Sequence, residues 1–114
     1  MQSETLRLGR LTEIFANDKT ALRNFLIVLI AEIARLERDI VDSCRRDEWD
    51  RAKRRLHEFK GICANVGCSE AGATAAEFET IVREHRCDEV PAHIERLHGI
   101  VQRMRDAIAA RLAA

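Results

Sequence analysis

Leu22, Leu26, Leu29, Ile33, Leu36 and Ile40 recur at spacings of three and four residues. At about 3.6 residues per turn this spacing lines one face of an α-helix for about five turns. It cannot be laid on a strand, whose faces repeat every second residue. A helix with one long apolar stripe must bury it against other helices, so this segment commits the chain to a helical bundle. The rest of the sequence agrees: Pro91 is the only proline, tyrosine is absent, and leucine, alanine, arginine and glutamate dominate.

The flanking segments carry the same period. Leu6, Leu11, Ile14 and Phe15 mark a short amphipathic helix that stops near Asn17, and Asp18 can cap the long helix that follows. The long helix should break around residues 45–47, with Asp47 capping a second bundle helix on Trp49, Ala52, Leu56, Phe59, Cys63 and Val66. Gly67 is its expected left-handed stop. Ser69 can cap a third, on Ala71, Ala75, Phe78, Ile81 and Val82, which fades into the polar run from His85 to Asp88. Asp88, with Pro91 in the first turn, opens a fourth on Val90, Ile94, Leu97, Val101, Met104 and Ile108. Every connection is short. The expected fold is therefore all-α: an antiparallel up-and-down four-helix bundle with a short extra N-terminal helix, one domain over residues 1–114.

Charge and cysteine usage narrow the function classes. The 19 basic residues balance 19 acidic ones, which leaves no whole-chain electrostatic footprint for nucleic acid or an anionic membrane. The N-terminus lacks a basic stretch followed by an apolar core, and the longest apolar run, residues 25–31, is far short of a membrane span. The chain reads as cytoplasmic. Cys44, Cys63, Cys68 and Cys87 form no C-x-x-C pair; Cys44 and Cys63 fall on or near apolar stripes and are expected to be buried thiols without redox or metal function. A metal-binding bundle is disfavoured, because His93 and His98 are five apart rather than three or four and no Glu-x-x-His pair occurs. No Gly-rich nucleotide-binding stretch is present, which disfavours a catalytic kinase.

The chemistry concentrates in His57-Glu58-Phe59-Lys60-Gly61 and the following Ile62-Cys63-Ala64-Asn65-Val66-Gly67. At about 100° per residue, His57, Lys60, Gly61, Ala64 and Lys53 share a face roughly 120° from the apolar stripe of the same helix. The histidine therefore looks out of the bundle, between two lysines that can hold phosphoryl oxygens. A mid-helix glycine costs up to about 1 kcal/mol relative to alanine, so Gly61 one turn beyond His57 suggests that something approaches the backbone there. Of the 19 basic residues 16 are arginine, so a lysine beside His57 is less easily chance. A histidine side chain ordinarily titrates near roughly 6.5, and its neutral imidazole is a competent nucleophile without a general base. Neither His85, His93 nor His98 has lysine and glycine one turn on, so His57 is the single expected acceptor.

This run resembles the phosphohistidine motif of histidine-containing phosphotransfer (HPt) domains, where lysine and glycine follow the histidine at the third and fourth positions and small residues lead to a second glycine. The helical layout extends the resemblance over nearly the whole chain. Phe59 stands where leucine is usual and Ile62 where a smaller residue is usual. The resemblance implies that His57 is phosphorylated, that Lys60 and Gly61 adjoin the phosphate, and that Ala64 and Gly67 complete the motif; Lys53, on the same helical face, is a further phosphate-positioning candidate. It further implies a monomeric carrier without a cofactor of its own, the Mg²⁺ belonging to the partner. Its partners would be response-regulator receiver domains and a hybrid sensor histidine kinase. A structural or scaffolding bundle is the alternative that loss of His57 or Lys60 would have favoured. The starting Met and complete bundle favour a free-standing shuttle over a piece of a larger kinase.

The apolar run 25–31 raises one more expectation. Leu26, Leu29 and Ile30 serve the core, which leaves Ile27 and Val28 pointing elsewhere. Either the N-terminal helix covers them through Leu11, Ile14 and Phe15, or a partner does. The resemblance adds weight to docking, on Leu8, Leu11, Phe15 and Ala64.

Overall fold

Four α-helices follow one another among the described residues: α1 (Lys19–Arg45), α2 (Trp49–Asn65), α3 (Ser69–Arg83) and α4 (Val90–Ala113), with a 3-10 turn at Cys87–Glu89 before the last. The structure is a computed structural model and describes residues 11 and 13–113. Each helix packs on the next and α4 returns to α1, which closes the bundle. The predicted stripes meet in one core: Leu26, Ile33, Leu36 and Ile40 of α1, Leu56 and Phe59 of α2, Phe78 of α3, and Leu97, Met104 and Ile108 of α4 are all at most 2% exposed. Packing of these apolar faces supplies most of the helices' stability. Polar contacts bridge the seams: ion pairs of Asp39 with Arg51 and Arg55 between α1 and α2, of Lys60 with Glu79 between α2 and α3 and of Arg96 with Glu77 between α3 and α4, and a His98–Glu37 contact between α4 and α1.

Asp18 caps α1 as its position predicts: its Oδ1 accepts from the Ala21 amide at 3.0 Å. The other caps differ from expectation. Asp47 is not the N-cap of α2; it takes a left-handed φ of 56° just past α1, and Glu48 becomes the N-cap without a side-chain bond. The Glu48 amide donates to the Ser43 carbonyl at 2.8 Å and the Asp47 amide to Cys44, the paired bonds of a Schellman stop. Gly67 ends α2 in the same way, at φ 68° with the Cys68 amide donating to Cys63, and His85 ends α3 at φ 53°. Ser69 is the first residue of α3 rather than its cap, which is Cys68. The reason is common to both corrections. In a connection of only a few residues, the groups that terminate one helix also fix where the next begins. Asp88 likewise lies inside the 3-10 turn that leads into α4.

The N-terminal segment corrects one surface expectation. Residues 11, 13 and 14 are helical, and the chain turns at Phe15–Asn17 with positive φ at Ala16 and Asn17. Leu11 is 2% exposed and belongs to the core, so it is not a free contact; Phe15 is half-buried, its ring 5.4 Å from that of Phe25. Leu6 and Leu8 lie outside the described residues. The segment does not cover everything: Ile14, Ile27 and Val28 stay open to solvent, Val28 the most. His93 is buried beside Phe78, and its Nδ1 lies 2.8 Å from the Glu89 carbonyl oxygen. It stands one turn from Val90 and Leu97, so the α3–α4 seam closes over it.

Candidate functional site

Helix α2 buries Ala52, Leu56, Phe59 and Cys63 and turns the residues between them outward. That one choice of inward face leaves the His57 side chain 74% exposed on the shoulder toward α3. Lys60 lies on the same side, one turn on, and its Nζ donates to Oε1 of Glu79 at 2.9 Å. The other oxygen of Glu79 is 4.0 Å from His57 Nδ1. One carboxylate, its own side chain only 14% exposed, thus stands between the imidazole and the ammonium. Glu79 was not among the residues singled out from sequence. Its signal is positional: it directly follows buried Phe78 and precedes Ile81 and Val82, and a charged residue flanking a core stripe faces a neighbouring helix.

Lys53 and Lys60 do not behave alike. Lys53 Nζ lies 4.0 Å from Asp50, one turn before His57, whereas Lys60 is anchored across the seam. A β-carbon added at Gly61 would meet nothing within 4 Å, so the protein's own packing does not require glycine there. Ala64 is exposed beside it. Together with His57, Lys60, Ser69 and Gly72 these residues line a shallow groove of about 650 Å³ between α2 and α3. A β-carbon at Gly72 would make ordinary contact with that of Cys63 at 3.6 Å.

The remaining histidines and the thiols are occupied otherwise. His85 stacks near Trp49 with ring centres 6.2 Å apart, and His98 Nδ1 is 2.7 Å from Glu37. Burial pushes the Cys63 thiol up to about 12 and the Cys44 thiol to about 11, which keeps both neutral and unreactive near neutral pH. Cys68 is buried as well, and Cys87 is exposed. Among the described residues no group of three or more histidine, cysteine, aspartate or glutamate side chains is arranged to hold a metal ion, and no helix is long and apolar enough to cross a membrane.

Neither curated proteins nor solved structures supply a match to this chain. The family model for the Hpt domain matches residues 21–108, from the first turn of α1 to the last buried residue of α4, with His57, Lys60, Gly61 and Gly67 inside the match. An exposed imidazole beside a lysine and an open glycine, on a closed four-helix bundle covered by that model, places the chain in the Hpt domain family.

Proposed function

We propose that His57 takes a phosphoryl group from the aspartyl phosphate of one receiver domain and gives it to the aspartate of another, relaying phosphate in a multistep two-component phosphorelay. Histidine phosphotransfer within phosphorelays, in contact with receiver domains and kinases, is the general work of the family. The observation that carries the reading for this chain is the 74% exposed His57 above a half-buried Glu79–Lys60 pair. With Nδ1 on the Glu79 side, Nε2 is the nitrogen left to attack. Its lone pair forms the N–P bond while the P–O bond to the partner's carboxylate breaks, and the carboxylate leaves as the anion. The ring becomes an imidazolium that keeps its proton on Nδ1, and the Glu79 carboxylate favours that positive charge. Lys60 holds Glu79 in place at the edge of the phosphoryl site. No group beyond the side chains is needed on this chain, and Mg²⁺ would act from the partner.

Docking draws on the exposed side chains rather than on Leu11. Ala64 and the open Gly61 border His57, and Ile14, Ile27 and Val28 supply apolar contact on α1 and the segment before it. A patch of this small size suits a partner that leaves after each transfer. A hybrid sensor kinase and a response regulator are the partners in this scheme.

Incubation with a labelled phospho-receiver is expected to give an acid-labile, alkali-stable phosphoprotein. The label is lost completely in His57→Gln. Transfer that survives this substitution removes His57 from the mechanism.

A further inference from the structure

A phosphoryl group brings about −1.5 to −2 charges to His57, and the nearest cation is already neutralised. Lys60 gives its charge to Glu79 at 2.9 Å, so the pair contributes no net charge to an incoming phosphate. Arg51 and Arg55 are committed in the same way, whereas Lys53 makes only a loose surface contact. Arg51 and Arg55 both bind Asp39, Arg55 also binds Glu58, and Lys53 lies 4.0 Å from Asp50. Arg54 alone among the basic residues of α2 is exposed with no ion pair or hydrogen bond among the described residues.

Arg54 borders a groove with Trp49, Asp50 and His85, one turn before His57. Arg54 precedes His57 by three residues, and helical side chains lean toward the N-terminus, so the imidazole extends over the turn that carries Arg54. At about 100° per residue Arg54 lies about 60° from His57 and about 20° from Gly61, on the solvent side, while Lys60 lies on the side of α3. A planar guanidinium there can donate two parallel hydrogen bonds to phosphoryl oxygens on Nε2. The geometry points to Arg54 as the phosphate-binding cation of phospho-His57, with Lys60 serving first to hold Glu79. The inference rests on the phosphorylation of His57 proposed above and adds a contact that the motif itself does not include.

The test uses the full chain and the small donor phosphoramidate, so that partner docking plays no part. Uptake by the wild type and none by His57→Gln establishes the acceptor independently of Arg54. Arg54→Ala and Arg54→Gln are then expected to slow uptake about tenfold at unchanged melting temperature. They should also shift the phosphorus NMR titration of the phosphoryl group to higher pH, because loss of a neighbouring cation disfavours the dianion. Arg54→Lys restores part of both effects. Wild-type uptake and an unmoved titration in both Arg54 variants overturn the assignment. So does a larger effect of Lys53→Ala, or a defect confined to transfer from a receiver domain, which would make Arg54 a docking contact instead.

Discussion

The two flanks of α2 carry similar residues and use them differently. Toward α1, Arg51 and Arg55 close on Asp39 at 2.8 Å each, and Arg55 also reaches Glu58. The Arg55 guanidinium, then Arg51, holds the Asp39 carboxyl below its usual range. Toward α3, Lys60 and Glu79 make a single contact, and beyond it the surface opens into a groove bordered by glycine, alanine and serine. The first flank satisfies its charges internally and bridges two helices. The second keeps an imidazole exposed and leaves room beside it. Charge density alone therefore does not single out the candidate face; unused space next to an exposed imidazole does.

The contrast is tested most severely at Gly61. Because a β-carbon there meets nothing, Gly61→Glu is expected to fold normally by circular dichroism and to abolish transfer from a phospho-receiver. Normal transfer would mean that the open space has no occupant. Next in size, Lys60→Ala should slow transfer about tenfold with little change in melting temperature, while Asp39→Ala leaves transfer untouched. If the two variants slow transfer equally, the flanks do not differ in function.

The inner face of α2 gives a pH signature that neither flank shares. Cys63, raised to about 12 by burial, stays protonated in the folded state after an unfolded thiol has begun to ionise near roughly 8.5. The unfolded state then binds fewer protons, so stability should fall as pH rises from about 8.5 toward 12, by at most about 1.4 kcal/mol per pH unit. Urea unfolding at about pH 8 and about pH 10 measures this, and Cys63→Ala should be less stable but flatter with pH. An unaltered slope in that variant would assign the alkaline loss to other groups.

The smallest effect belongs to the α1 flank. Asp39→Asn should cost up to about 1 kcal/mol at neutral pH, in keeping with partly exposed ion pairs. The folded carboxyl is depressed, so its contribution is fully present above the ordinary value near 3.9 and disappears as pH falls through the lower folded value. The wild type and Asp39→Asn should accordingly converge in stability below about pH 4. A gap that persists in acid would show that Asp39 acts through packing rather than charge.

What the sequence determined by itself was everything governed by the helical period and by single-residue backbone preferences. The stripe of α1, the inward face of α2, the shared outward face of His57, Lys60, Gly61 and Ala64, and the stop at Gly67 all follow from 3.6 residues per turn and from the conformation that glycine tolerates. Tertiary structure decided which side chains of different helices meet. Glu79 reaches Lys60 from 19 residues away, His93 disappears beside Phe78, and Leu11 joins the core instead of the surface. The breaks near residues 45–47 and at His85 were legible, but not that Asp47 and His85 themselves take the left-handed turn, because that conformation is uncommon for a non-glycine residue and is held there by the packing of the helices on either side. Rotation and axial offset between helices depend on how whole faces interlock, and no local window of sequence contains that information.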